Sequence, residues 1–452
     1  MSPVLSFNII GLIVDIVIKV AAFLPIKFNS ESAMSPRAVL PFDVIALIVD
    51  IAIEVAMEND DINFLKRLNL VSHYFHQNCS KWYRFATLEI HDTHPKPSRS
   101  LDTFVKLLEN SPTPDVLKYK YVRCLTYKLD YVPYQGNPPN PDSSLILLHR
   151  LRTISCLTYL KISTFYWSFL KPSLASALLH LMHLPTINHI DLSNIRNFPL
   201  SSFTPSVNLH RLDIHNMSPY DKDNVFENFQ SGMMPKLREF HTSSSDTMTS
   251  RLFHARGQDG RPAFNFRDLR GLSMPFTDSE EDKSNIRSFL QNANLLERLH
   301  LYIRDRSLVE LHDIFSSTAH TLKVLDFTVS LYDRQIQVFL GGICEELEAL
   351  AGHNMLEALS FKVLVLVDSS DTENFIGSTI QEVEKVLVKP GWSALRRVSF
   401  EVSCSTRNSL RWVDRASWSK LQQFLDSLPD KYLSHLSKLD FVAFNYSAEV
   451  AW

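Results

Sequence analysis

Glycine is the residue this chain most lacks: 11 of 452 residues, about 2% where ~7% is usual. Loops that cradle phosphate need glycines so that backbone N–H groups can close on the ligand. Neither G-x-G-x-x-G nor G-x-x-x-x-G-K-[ST] occurs, which argues against a nucleotide-binding domain. The five cysteines, Cys79, Cys124, Cys156, Cys344 and Cys404, are widely spaced and form no C-x-x-C pair. A disulfide framework or zinc site needs clustering, so free thiols in a reducing compartment are the simpler reading. An excess of one charge is lacking too: 46 Lys+Arg stand against 49 Asp+Glu, for a net charge of -3. A nucleic-acid binder shows a basic face or stripe, and no nucleic-acid partner is expected. H-E-x-x-H and G-x-S-x-G are both missing. The pairs His73/His76, His91/His94 and His180/His183 have H-x-x-H spacing but no third and fourth ligand, and with 17 histidines such pairs arise by chance. No catalytic residue, metal or cofactor is therefore assigned, and the chain is read as a non-enzyme of the cytoplasm or nucleus.

Apolar residues are plentiful, at 45%. The run Phe7–Leu24 invites a membrane reading. Asp15 and Lys19 interrupt it, and a charge at mid-bilayer costs roughly 2.5–3.5 kcal/mol. No basic region precedes it, as a secretory signal requires. An apolar helix lying on protein is the preferred interpretation, and partition into membranes with and without residues 1–33 separates the two. The run is also repeated. Leu5–Ala21, LSFNIIGLIVDIVIKVA, and Leu40–Ala56, LPFDVIALIVDIAIEVA, agree at 11 of 17 positions, and Met1-Ser2-Pro3 is matched by Met34-Ser35-Pro36. Either the start is a tandem duplication or Met34 is the initiator. Residues 1–37 are read as this duplicated helix and a polar linker.

Residues 38–92 form a second segment. Pro41 suits a first helical turn, where its missing N–H had no partner, and Val44, Leu47, Ile48 and Ile51 follow at helical spacing. Phe64, Leu65, Leu68, Val71 and Phe75 trace a second apolar stripe, and Thr87–Ile90 alternates like a short strand. Leu40-Pro41 with Asp43, then Ile45/Leu47/Ile48, then Leu65 and Leu70-Val71-Ser72 before Phe75, resembles the F-box in the form common among fungal F-box-like proteins. The first helix is longer and more β-branched than in that family, and Phe75 stands where tryptophan is common. The resemblance implies docking on the Skp-family adaptor of an SCF ubiquitin ligase through Leu40, Pro41, Ile45, Ile48, Leu65 and Val71. These residues equally suit the core of a small helical domain.

From residue 100 to 452 one pattern recurs: an apolar residue, two variable, an apolar residue, one variable, an apolar residue. It runs from Val122/Leu125/Tyr127 and Leu157/Leu160/Ile162 through Ile187/Ile190/Leu192, Leu209/Leu212/Ile214 and Leu237/Phe240/Thr242. It continues with Leu269/Leu272/Met274, Leu296/Leu299/Leu301, Leu322/Leu325/Phe327, Leu356/Leu359/Phe361 and Leu395/Val398/Phe400, and ends with Leu436/Leu439/Phe441. Helical patterns lie between, at Leu174–Leu184, Leu308–Ser316, Ile336–Leu350, Ile380–Val388 and Trp418–Leu428. This is similar to a degenerate, stretched leucine-rich repeat, whose ordinary period is about 20–29 residues. No unit can bury its own apolar face, so each must stack on its neighbours. The expected fold class is α/β: the small helical module followed by a curved leucine-rich-repeat solenoid with an inner parallel sheet.

Residues between the inward apolar positions point to the other face of such a sheet. They include Tyr159, Lys161, His189, Asp191, Arg211, Asp213, His215, Arg298, His300 and Tyr302, with Glu239, His241, Asp326, Lys362, Arg397, Glu401, Lys438 and Asp440 continuing the face. Arg and Tyr are favoured at interface centres, so the first ten are the candidate partner-binding set. Tyr131–Ser144 and Thr242–Asn265 read as loops and Asp278–Asp282 as a solvated acidic turn. Together these features suggest the substrate-recognition subunit of a ubiquitin ligase, with a protein substrate on the repeats. The alternative is a stand-alone repeat scaffold without ligase association.

Overall fold

The structure, a computed structural model, describes residues 87–91 and 122–129, single residues within 145–151, and most of 157–451. Segments 221–234, 304–314 and 407–414 and a few shorter stretches lie outside the described residues, as does all of 1–86, where the F-box-like helices are expected. The chain divides into two compact units. The first comprises Met1–Glu89, Phe104–Leu125 and Ile154–Cys156; the second comprises Ile90–Thr103, Thr126–Thr153 and Leu157–Trp452.

Twelve strands follow one another across one sheet in chain order. They are β1 (Thr87–His91), β2 (Cys124–Leu129), β3 (Tyr159–Thr164), β4 (His189–Ser193), β5 (Arg211–His215) and β6 (Glu239–Ser243). Then come β7 (Gly271–Phe276), β8 (Arg298–Ile303), β9 (Val324–Tyr332), β10 (Ala358–Val367), β11 (Arg397–Thr406) and β12 (Ala443–Ala451). Every pairing from β3 to β12 is parallel. Six helices lie between strands among the described residues: α1 (Pro172–Met182), α2 (Asp246–His254), α3 (Glu280–Asn292), α4 (Ile336–Leu350), α5 (Thr372–Leu387) and α6 (Arg415–Tyr432).

The units are spaced unevenly, yet the backbone treats them as equivalent. The carbonyl just before a strand accepts two N–H groups from the next unit: Asn188 O takes those of His210 and Arg211, and His210 O those of Arg238 and Glu239. The same double acceptance recurs at Thr158, Arg238, Arg270, Glu297, Lys323 and Glu357. A repeat defined by hydrogen-bond position thus survives where its length does not. The left-handed backbone that Asn194 and Asn216 adopt just after β4 and β5 belongs to this regularity, because asparagine tolerates positive φ. Asn216 Nδ2 donates to Asn194 Oδ1 at 3.0 Å.

The apolar pattern packs as its spacing requires. From Val122 to Phe400 all its members are buried, Thr242 included. In the last units the third position is filled by phenylalanine, and Phe327, Phe361 and Phe400 stack at centroid distances of 5.5 and 4.8 Å. Helices cover the apolar face of the sheet with ordinary amphipathic stripes. In α1 these are Leu174, Ala177, Leu178 and Leu181, and α5 packs between α4 and α6.

Three sequence expectations are corrected. Thr242–Asn265 is not simply loop, because α2 buries Met248, Leu252 and Phe253 there. The acidic run is not wholly a turn: Glu280, Glu281 and Asp282 open α3, and Asp278 lies outside the described residues. The final unit is shifted: Leu436–Lys438 is a 3-10 turn, so Lys438 does not lie on the sheet face, and β12 starts at Ala443 opposite Arg397. The cause is Glu384 of α5. Its buried carboxylate accepts from the N–H groups of His435 and Leu436 at 2.7 and 3.1 Å, which holds a tight turn where a strand would begin. Asp440 and most of the expected helix 308–316 fall outside the described residues.

Candidate functional site

The alternate positions of β3 to β12 lie in rows across the sheet, because parallel strands keep register. One row reads Tyr159, His189, Arg211, Glu239, Gly271, Arg298. The next reads Lys161, Asp191, Asp213, His241, Ser273, His300, Asp326. His215 and Tyr302 lie two residues further along, opposite Ser243 and Thr328, so the structure brings all ten sequence-derived candidates onto one face.

Within that face charges are matched strand to strand. Lys161 Nζ lies 2.6 Å from Asp191, which also accepts from the Tyr159 hydroxyl at 3.1 Å. Asp213 accepts from His189 Nε2 at 2.9 Å and from Arg211. Arg211 also reaches Glu239 at 3.1 Å. Glu239 takes a second guanidinium, Arg298, from two strands away. Glycine makes that span possible: Gly271 stands between the two, and the guanidinium of Arg298 passes within 3.7 Å of where a Cβ would sit. A larger side chain there would fill the path.

Burial distinguishes two members. Asp191 and Asp213 are only 5% and 6% exposed, although their type and position suggested solvent-facing groups. Burial alone would raise the Asp213 carboxyl. The hydrogen bonds and charges of His189 and Arg211 overturn that and hold it at about 2. His241 and His300 are shifted the other way: burial pushes both imidazoles below their ordinary value, with only partial opposition from Asp213 and Asp326 respectively. His300 Nε2 pairs with the Thr328 hydroxyl at 2.8 Å, and its ring lies 4.3 Å from that of Tyr302. His215 Nδ1 pairs with Ser243 at 2.8 Å.

A small residue on β7 opens a hollow in the middle of this face. Ser273 leaves room between the larger side chains of β6 and β8, and the hollow has a volume of about 360 Å³. Arg211, Asp213, His215, His241, His300 and Tyr302 help to line it. Among the described residues, two polar atoms of the face are buried without a hydrogen bond, Asp191 Oδ1 and His241 Nε2, the latter 3.8 Å from Glu239 Oε2. Buried polar atoms are nearly always hydrogen-bonded, and of these two only His241 belongs to a residue that lines the hollow. The sequence did not single out Ser243, Ser273 or Thr328. Ser243 and Thr328 lie two residues on from His241 and Asp326, and Ser273 between the pattern residues Leu272 and Met274, but serine and threonine carry no charge signal.

Other chemistry is not assembled among the described residues. No group of three or more His, Cys, Asp or Glu is arranged to hold a metal ion. Cys344 and Cys404 are buried, and burial pushes both thiols up to about 12, far from thiolate reactivity. No described helix is long and apolar enough to cross a membrane. Neither a protein-family model nor a curated protein matches the chain.

Proposed function

We propose that this chain is a protein-interaction adaptor. Its sheet face holds a protein partner, and its segment 38–92 docks on a Skp-family adaptor of an SCF-type ubiquitin ligase. The observation that supports partner binding most is the hollow over Ser273, where His241 Nε2 is buried beside Arg211, His300 and Tyr302 and has no hydrogen bond, with Glu239 Oε2 3.8 Å away. An unpaired buried polar atom costs about 1–3 kcal/mol, a cost that a partner's hydrogen bond would remove. Aromatic and arginine side chains around a partly desolvated centre make the usual anatomy of a binding hot spot. Docking on the ligase rests on Leu40, Pro41, Ile45, Ile48, Leu65 and Val71, whose apolar side chains are worth roughly 1.5–3 kcal/mol each when buried. Catalysis would then belong to other subunits.

The second reading, a repeat scaffold without ligase association, is favoured by the long β-branched first helix and the duplicated start. The two separate in affinity capture of the tagged chain from its own cells. Arg211→Ala/Arg298→Ala should lose the partner and keep the ligase adaptor, while Leu40→Ala/Pro41→Ala should do the reverse. Capture of the same proteins by both variants would contradict both assignments.

A further inference from the structure

Away from the rows of the sheet face, the loop that joins α2 to β7 shapes a second hollow of about 400 Å³. It falls in the size range of ordinary ligand pockets, roughly 300–1,000 Å³. Its charged wall is one-signed. Arg256, Arg261 and Arg267 line it, and none of its described lining residues is acidic. The loop is pinned by backbone contacts: Gly257 N–H donates to Arg261 O at 2.8 Å and Ala263 N–H to Ala255 O at 2.9 Å. Arg256 is fixed further by donating from Nη1 to the carbonyls of Phe253 and Ala255, at 2.9 and 3.0 Å. Carbonyls orient a guanidinium without neutralising it. Asp268, held by Asn265 at 3.4 Å, is not among the lining residues. Beside Pro262, Asn265 and Asn292, the rest of the wall is aromatic, from Phe253, Phe264 and Phe266, which belong to one ring cluster.

We infer that this hollow receives an acidic peptide segment of a protein partner. Carboxylates match guanidinium forks in geometry and charge. The methylenes of a glutamate side chain can lie against the phenylalanine rings while its carboxylate reaches the arginines. The inference goes beyond the sheet face and does not depend on the ligase reading.

The test is fluorescence anisotropy of the full chain with a labelled hexaglutamate peptide, with hexalysine as control. Binding of hexaglutamate alone, weakening as salt rises, is the expected result. Arg267→Glu and Arg261→Glu, both at exposed positions, should each weaken it by about tenfold or more with an unchanged denaturation curve. Arg298→Glu on the sheet face should leave it intact, and Arg267→Ala should show an intermediate loss. Equal loss with Arg298→Glu would mean general attraction and overturn the site. So would binding untouched by Arg267→Glu, or tighter binding of a hexathymidylate strand, which would mark a nucleic-acid surface instead. Competition by inorganic phosphate at concentrations comparable to the peptide would place the anion preference on phosphate and overturn the peptide assignment.

Discussion

Asp191 and Asp213 stand directly opposite each other on β4 and β5, both buried. Like charges directly opposite in a sheet repel. They coexist because each is neutralised from a different side: Asp191 by Lys161 and Tyr159, Asp213 by His189 and Arg211. The polar face is a network rather than a set of solvated side chains, and that makes it rigid enough to present a fixed pattern to a partner. Asp213→Asn should cost about 2 kcal/mol, the scale of a charged hydrogen bond. Asp191→Asn should cost less, since one of its oxygens has no partner to lose. The double variant should be less destabilised than the two single losses combined, because the repulsion is gone. Denaturant midpoints of the three variants read this directly.

Acid should unfold the protein in two stages. His241 and His300 are depressed below 6.5 in the folded chain, so their contribution is complete above pH about 6.5 and is lost as the pH falls through their folded values. Asp213 is depressed from 3.8 to about 2, so its contribution is complete above pH about 4 and is lost between there and about 2. By linkage that second loss is about 2 kcal/mol. Asp326, raised by burial, gains on protonation and softens the decline. Denaturation midpoints across pH should fall in both windows. Asp213→Asn should flatten the lower one, and an unchanged profile would contradict the burial and pairing given for these groups.

Tyr446 completes a broken helix. Pro429 lies inside α6 and has no N–H to offer Leu425 O, and the Tyr446 hydroxyl of β12 donates to that carbonyl at 2.8 Å. Tyr446→Phe should therefore cost about 1–2 kcal/mol. The same substitution in a Pro429→Ala background should cost markedly less, since the helix then supplies the donor. Equal costs in both backgrounds would show that the carbonyl is not what Tyr446 serves.

Gly377 lets α5 and α6 approach. A Cβ there would come within 2.7 Å of the Tyr432 ring. Glycine to alanine inside a helix ordinarily stabilises by about 1 kcal/mol. Here Gly377→Ala should destabilise by about 1–2 kcal/mol, and adding Tyr432→Ala should abolish that penalty. A gain in melting temperature from Gly377→Ala alone would refute the close packing.

The sequence showed the fold most clearly where one face of each strand is buried and the other is polar. The 3-2 spacing of apolar residues located the strands from Val122 to Phe400 because each position faces a neighbour that excludes water. It failed at the last unit, where the decisive residue is Glu384, some fifty positions earlier, and a local pattern has no access to it. It missed α2 and α3 because their apolar stripes are sparse and polar residues dominate the segment. On the candidate site, alternation named the charged residues but not the depth at which Asp191 and Asp213 lie. Nor could it find the hollow, which opens over the small side chain of Ser273.

The central claim is that this repeat array is coupled to a ligase through the segment around Leu40-Pro41, and calorimetric titration of the purified full chain with a purified Skp-family adaptor tests it most directly. The account predicts saturable binding by the native chain, weakened by about tenfold or more in Leu40→Ala/Pro41→Ala while the denaturation curve of the array stays unchanged. A folded native chain that gives no binding, or a double variant that binds as the native chain does, would contradict it.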